Sequence, residues 1–485
     1  MKCQMVVLAA LASLTGGVSA KDRFEPVREF IAEQMTQGGV TGVSVALSQH
    51  GKIVWEQGFG WADKEQRIPA TEHTLFSLAS ISKPITATGL MTLVQAGKVS
   101  LDQPVNDYLD NVRLVARVGD ARTATVRAVA NHSSGLPTYY HLIFSDEAFR
   151  QASFDETLAH YGNLVWAPGE RFEYSNLGYG VLDHVITRVS GKSFADFMSA
   201  EVFAPLGLTH MSVDIGARQA GNVAVRYTED GEPLPFYGSD HPGASAVYGS
   251  AHDLIRFAMF HLKDHLQDQR PILPDDAIDA MQRITFRENA TSAYGVAWNL
   301  VDRPGGYRTV EHGGGMPGVG VVLLLLPEQD IAVAVLTNHR QGRHRAIADQ
   351  ALRVLLPQWQ PKPKQERGPD VALAPPLELQ GKWQGVLHTY RSDTPLTLEV
   401  LPSGDVHAGL RGQHLSVVKH ARYHDGMFEG SIAAQLDTPE VVRWGPTSID
   451  LVLKLRGTVL NGGALAWAEN PRSGTVGYWV ELRKQ

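Results

Sequence analysis

Three short patterns in this chain carry side chains suited to acyl transfer. Ser80-Ile81-Ser82-Lys83 places a hydroxyl and an amine three residues apart. On a helix that spacing puts both on one face, about 5 to 6 Å apart at Cβ, so Lys83 can take the Ser80 proton and make the oxygen a nucleophile. Tyr174-Ser175-Asn176, which follows Pro168-Gly169-Glu170, sets a phenol and an amide two residues apart. In an extended loop the two point the same way into a cleft, and a buried phenol beside two cationic candidates is placed to ionise or relay a proton. The third pattern, His312-Gly313-Gly314-Gly315, precedes the apolar runs Val319 to Leu326 and Ile331 to Thr337, which Pro327-Glu328-Gln329-Asp330 joins.

Each pattern is unspecific by itself, because a chain this long shows about one S-x-x-K by chance. Ser416-Val417-Val418-Lys419 is such a second match, but its β-branched, alternating surroundings read as a strand, where residues three apart face opposite sides. Tyr161-Gly162-Asn163 repeats the Y-x-N spacing, and His241-Pro242-Gly243 and His407-Ala408-Gly409 repeat H-x-G. Only His312 flanks a strongly apolar strand pair. Gly42-Val43-Ser44-Val45-Ala46 lacks the last glycine of a nucleophile elbow and sits in a strand pattern, which makes an α/β-hydrolase a poor alternative.

The elements that must position these groups are legible around them. Pro84 has no N–H to donate, so a helix here begins within about a turn of it and Ser80 sits near its N-terminus, where the dipole favours an anion at the backbone N–H. Ser80 to Ala96 reads as helical with Gly97 as its stop, Phe24 to Met35 as helical, and Gly42 to Trp55 as two strands joined at Gln49-His50-Gly51. The first 340 or so residues thus mix α and β. Between Pro361 and Pro376 the segment PKPKQERGPDVALAPP reads as an extended linker over 361–376. Beyond it the periodicity changes to two, at Leu396, Leu398 and Val400, at Leu451, Leu453 and Leu455, and at Tyr478, Val480 and Leu482. Residues 377–485 are therefore expected to form a small antiparallel barrel or sandwich, folded apart from residues 21–360.

Length and composition bound the rest. At 485 residues, two or more domains are expected. With 44 Lys+Arg against 51 Asp+Glu, net charge is -7 and no basic block appears, which argues against nucleic-acid partners. Lys2, the apolar run Met5 to Leu14 and the small-residue site Val18-Ser19-Ala20 read as a signal peptide over 1–20, too short in its apolar part to span a bilayer. The expectation is a secreted or periplasmic protein with no membrane span. The single cysteine, Cys3, falls inside that segment, so the mature chain has no disulfide, thiol nucleophile or Cys-ligated zinc.

The order Ser-x-x-Lys, Tyr-x-Asn, His-x-Gly, with its flanking text, resembles the serine β-lactamase and penicillin-binding-protein superfamily, nearest its class C and D-aminopeptidase/esterase branch. The likeness rests on Phe76 to Pro84, Asn131-His132-Ser133-Ser134-Gly135-Leu136-Pro137, Tyr174 to Tyr179, Pro205-Leu206-Gly207-Leu208 and His312 to Gly315, and spans about residues 24 to 357. It implies an α+β fold, a helical subdomain against an antiparallel sheet flanked by helices, with the active site between them. It implies Ser80 as the acylated nucleophile, Lys83 as its base or proton shuttle and Tyr174 as the general base for leaving-group protonation and deacylation. Asn176 and His312 are then substrate contacts, and the Gly315 N–H joins that of Ser80 in an oxyanion hole. A histidine where relatives carry Lys or His departs from Lys-Thr-Gly and argues against strong β-lactamase activity, and its charge is expected to tune recognition near neutrality. Gly381-Lys382-Trp383-Gln384-Gly385 resembles the start of lipocalin-like domains and implies an eight-stranded barrel that covers the cleft, binds a ligand or mediates association.

Chemistry independent of the likeness agrees. Lys83 must be neutral to act as a base, although a free lysine has a pKa of about 10.4, so a cleft that excludes water is required. Acyl transfer through Ser80 calls for no metal and no cofactor, and the chain has no H-E-x-x-H. The expected function is an exported serine hydrolase acting through an acyl-enzyme on D-amino peptides, short esters or β-lactams. The alternative is a receptor for β-lactams or muropeptides that is acylated without efficient hydrolysis. A third reading, a barrel that carries an apolar ligand beside an inert N-terminal part, is disfavoured by the intact nucleophile set. Trp298 is expected to pack in the core or to line the cleft, His132 to be a structural hydrogen-bonder, and Trp383 to plug the barrel end.

Overall fold

A computed structural model describes residues 22–215, 222–362, 375–412, 414–424, 426–470 and 472–485. The expected signal peptide and residues 363–374 of the expected linker lie outside them.

The N-terminal part is built on a nine-stranded antiparallel sheet. Its order is Phe286–Arg287, Ser292–Tyr294, Asn299–Asp302, Arg308–Met316, Val319–Leu326, Ile331–Thr337, Gly42–Gln49, Lys52–Asp63 and Ile68–Pro69. Val319–Leu326 and Ile331–Thr337 are buried at every position, because both faces of the sheet are covered and neither leaves a polar alternation. On one face Val43, Val45, Val322, Leu324 and Val333 pack against helices Glu25–Gly38 and His344–Leu355. The other face, with Ala46, Leu323, Leu325 and Leu336, shares its core with helix Ala251–Leu262. Helix Ser82–Gln95 is buried without a break from Ser82 to Met91, which a helix adopts only when surrounded. It packs against helix Asn176–Ser190 in the helical half, and its start faces the sheet.

The C-terminal part is a second antiparallel sheet of nine strands, nearly closed into a barrel. Across it run Ser416–Val417, Val406–Leu410, Asp393–Val400, Gly381–His388, Thr475–Lys484, Val459–Trp467, Ser448–Arg456, Met427–Ala433 and Lys419–His424. The first and last of these in the chain, Gly381–His388 and Thr475–Lys484, are paired, which brings the meander round on itself. Leu396, Leu398, Leu451, Leu453, Val480 and Leu482 fill the interior as their alternation predicts, and Trp383 is buried with its indole N–H donated to Leu379 O at 2.8 Å. The expected eight strands become nine because residues 416–424 split into two. Val418 N–H turns to Val406 O at 2.8 Å, and His420 takes a left-handed φ of 55° beside a register shift.

The barrel's outer wall is seated on the N-terminal part. Trp479 packs with Val165 and Trp166, with Val118, Met427 and Val452 around them. Glu170 accepts from Lys454 Nζ at 2.7 Å and from Arg456, while Arg443 pairs with Glu147. Glu440 of the barrel, buried, accepts from the phenols of Tyr161 in the N-terminal part and of Tyr390 and Tyr478 in its own.

Candidate active site

Ser80 lies in a single 3-10 turn, Ala79–Ile81, that runs straight into helix Ser82–Gln95. Ala79 before it has a φ of 45°, a conformation alanine adopts only when its surroundings impose it. Two contacts impose it here. Leu78 N–H donates to Val247 O at 2.9 Å, and strand Arg308–Met316 presses on the turn so closely that a Cβ at Gly314 would lie 2.6 Å from Leu78 O and 2.9 Å from Ala79 Cβ. Ser80 is left half-buried among buried neighbours.

Lys83, one turn on, is fully buried, and that burial pushes its amine well below the ordinary lysine range. Its Nζ stands 2.7 Å from Asn176 Oδ1, 3.0 Å from Ala244 O and 3.1 Å from Ser80 Oγ. A neutral amine has two N–H donors and one lone pair. Asn176 Oδ1 and Ala244 O can only accept, so in the neutral form they take both donors and the lone pair is left facing the Ser80 hydroxyl. The carbonyl of Ala244 is itself fixed, because Gly243 N–H donates to Asp183 at 2.6 Å and Thr86 Oγ1 donates to Gly243 O at 2.8 Å.

Tyr174 and Asn176 come together as expected, though Asn176 opens helix Asn176–Ser190 rather than continuing a loop. Ser175 between them caps that helix, accepting from Gly178 N–H at 3.2 Å and donating to Pro137 O at 2.9 Å. Residues 131–139 hold the pair from behind. His132 Nδ1 accepts from Ser175 N–H at 3.1 Å, Thr138 Oγ1 donates to Tyr174 O at 2.7 Å, and Asn176 Nδ2 donates to Tyr139 O at 2.9 Å. His132 is thus the structural hydrogen-bonder expected, its ring centroid 4.4 Å from that of Tyr174. Lys83 Nζ is 4.8 Å from the Tyr174 ring centre. Burial raises the Tyr174 phenol above its ordinary pKa, and its hydrogen bond with Ser80 offsets only part of that. Of the two expected behaviours, ionisation and proton relay, a phenol whose pKa is raised by burial agrees with relay from its protonated form.

The surroundings of His312 weigh against a charge on its ring. It is buried, and burial, with Lys83 a lesser cause, lowers its pKa to about 3. Nδ1 is 2.7 Å from Gly313 O, which only accepts, so Nδ1 carries the proton and Nε2 accepts from the Tyr294 hydroxyl at 2.8 Å. The imidazole is neutral at neutral pH and committed to two partners, with no charge left to tune recognition. Gly315, by contrast, lies on the cleft surface beside Ser80, and a Cβ there would meet nothing within 4 Å.

The cleft has a volume of ≈ 920 Å³ and is walled by Ser80, Tyr174, Asn176 and Gly315, joined by Thr138, Tyr140, Tyr227 and Arg340 and by residues of the barrel. Trp298 is wholly buried against Phe257 and His261 and belongs to the core. The repeated patterns fall elsewhere: Tyr161 on the barrel interface, His241 against Asp240 at 2.6 Å, and His407 and Ser416 in barrel strands. Sequence reasoning missed Ala244, whose contribution is a backbone carbonyl, and the barrel residues Trp467 to Asn470 and Ser473 to Thr475. For these the only signal was Asn470-Pro471, which marks a loop and not its destination.

A serine at a helix start with a buried lysine beside it, set between a helical half and an antiparallel sheet, is the arrangement of a serine hydrolase of the β-lactamase-related type. The chain belongs to the Beta-lactamase family, whose model matches residues 27–356. It is similar to Penicillin-binding protein 4* of Bacillus subtilis (strain 168), 25% identical over 358 residues that cover 68% of this chain and 77% of that protein. It is also similar to Esterase EstB of Burkholderia gladioli, 29% identical over 328 residues that cover 58% of this chain and 81% of that one. In fold it resembles the octameric penicillin-binding protein homologue from Pyrococcus abyssi, at a TM-score of 0.60 and 22% identity over 94% of this chain and 99% of that one. Among the described residues no helix is long and apolar enough to cross a membrane.

Proposed function

We propose that the protein is an exported hydrolase that cleaves amide or ester substrates through an acyl-enzyme on Ser80. The observation that carries this reading is the Lys83 amine, fully buried and with its pKa lowered by that burial, 3.1 Å from Ser80 Oγ. In the first half-reaction Ser80 oxygen bonds the substrate carbonyl carbon and its proton passes to Lys83 Nζ. The backbone N–H groups of Ser80 and Gly315 receive the developing oxyanion. The bond to the leaving group then breaks, and Tyr174, protonated in the resting site, supplies the proton that group needs. Lys83 is an ammonium at that moment, and its charge beside the ring stabilises the phenolate. In the second half-reaction water gives a proton to that phenolate, bonds the acyl carbon, and Ser80 regains its proton as the acyl group departs. Export rests on the signal-like segment Met1 to Ala20.

The relatives' names, a penicillin-binding protein and an esterase, make β-lactams and short esters the substrates to try first, beside the D-amino peptides that the sequence resemblance implies. Purified mature protein is mixed with such a panel and product is followed from the first turnover. A burst followed by a steady rate supports the hydrolase; one equivalent of product and then silence identifies the acylated receptor instead; no burst and no label on Ser80 removes both.

A further inference from the structure

Part of the wall around Ser80 does not come from the N-terminal part at all. Trp467 and Thr475, at the facing ends of barrel strands Val459–Trp467 and Thr475–Lys484, and Glu469 and Asn470 on the loop between them, line the same cleft. The loop is fastened where it meets the site. Tyr140 N–H donates to Thr475 O at 2.6 Å and Thr475 N–H donates to Tyr140 O at 2.7 Å, a reciprocal pair that ties the barrel to a residue also lining the cleft. The approach is close enough that a Cβ at Gly474 would lie 1.9 Å from Tyr140 O. Arg472 binds Asp146 at 2.9 Å, and Ser473 Oγ donates to Ala468 O at 2.7 Å, which braces the loop outside and inside. Tyr139, next to Tyr140, is the residue whose carbonyl holds Asn176. The loop is therefore seated on the segment that also fixes the polar groups around Lys83.

We propose that this barrel loop is a specificity-determining wall of the active site. It limits the substrate on its side of the scissile bond to a compact group, a single residue or a short acyl chain, and turns away longer chains. The proposal rests on the Ser80 acyl-enzyme reading. The physical ground is that a fixed wall excludes by overlap, and bulk at a seated wall costs far more than the gain from an extra methylene in an open groove. Glu469 is the residue through which to test it, because its side chain is exposed and the described residues give it no hydrogen bond or ion pair.

Two series of p-nitrophenyl or alkyl esters are used with the full chain, one lengthening the acyl group and one lengthening the alcohol. Glu469→Trp narrows the cleft and Glu469→Ala widens it, while Glu469→Gln keeps the size and removes the charge. In at least one series, the ratio of kcat/KM for the longest to the shortest ester is expected to fall about tenfold in Glu469→Trp and to rise severalfold in Glu469→Ala. Glu469→Gln should keep the parent ratio. A loop that only stabilises barrel docking would scale both esters alike and leave the ratio still. Ratios within about twofold of the parent for all three variants in both series overturn the proposal. Fluorophosphonate labelling of each variant separates the two failures. Label on Ser80 with unmoved ratios sinks the wall alone, and absence of label on Ser80 in the parent sinks the acyl-enzyme reading beneath it.

Discussion

In the proposed reaction Lys83 must be uncharged to accept from Ser80, so the pH profile is the first property it should set. Its folded pKa is depressed by burial, so below that pKa the amine is an ammonium and cannot accept from Ser80, and above it the base is available. Acylation should therefore rise with pH through the Lys83 pKa, read from kcat/KM on a neutral ester. Lys83→Arg, which keeps its charge at every usable pH, should lose about 10³-fold or more. Ser80→Ala should lose as much, and mass mapping after a fluorophosphonate should find the label on Ser80 and on neither Ser134 nor Ser416. His312 should be silent in the same experiment. With a pKa lowered to about 3, it stays neutral, and the selectivity between an ester bearing a carboxylate and one without should be flat between about pH 5.5 and 8.5. A step near pH 6.5 in that ratio would show a solvent-reachable imidazole instead.

At the scale of elements, the site depends on how closely strand Arg308–Met316 approaches the turn that carries Ser80. Gly314 has no room for a side chain, since a Cβ there would lie 2.6 Å from the Leu78 carbonyl and from Val321 Cγ2 and 2.9 Å from Ala79 Cβ. Gly314→Ala should push the strand from the turn, costing about 1–3 kcal/mol of stability and lowering kcat more than KM. Thermal unfolding and steady-state kinetics on one preparation check both. Ser175 acts on the opposite wall as a helix cap with a second bond to Pro137 O. Ser175→Ala should cost about 0.5–2 kcal/mol and blur the placement of Tyr174 and Asn176 on either side.

For the whole molecule, the proposed division is a catalytic unit before the proline-rich linker and a barrel of residues 377–485 after it. Limited proteolysis should cut near Lys362 to Arg367 and yield two resistant fragments. Because Glu170, Glu147 and Glu440 bind across the interface around the Trp166 and Trp479 packing, the fragments should travel together on a sizing column at neutral pH. Acid should part them. Burial opposes ionisation of Glu170, but Arg456 and Lys454 prevail and hold its pKa to about 2. Its folded pKa is thus below its unfolded value, so its contribution is present above about pH 4.3 and is lost as pH falls towards 2. Co-elution of the nicked fragments at neutral pH with separation near pH 3 is the expected result.

The local order of this protein was legible in its residues because it depends on neighbours in the chain. Pro84 and Gly97 bracket the helix after Ser80; His50-Gly51 turns the first hairpin; the switch to period two at Leu396 and Leu451 announces the barrel. The likeness carried by five ordered blocks extended that to the fold and to the grouping of Ser80, Lys83, Tyr174 and Asn176. What remained hidden depends on distance through space. Whether Lys83 and His312 carry charge is set by burial, and burial is a property of everything packed around them; the pKa of a side chain free in water misleads most where burial is complete. The left-handed turn at Ala79 is imposed by a strand far along the chain, at Gly314. The barrel loop, finally, reaches the cleft because Trp479 and Glu440 seat the barrel in one orientation, and docking of two finished surfaces leaves no period in either sequence for the eye to find.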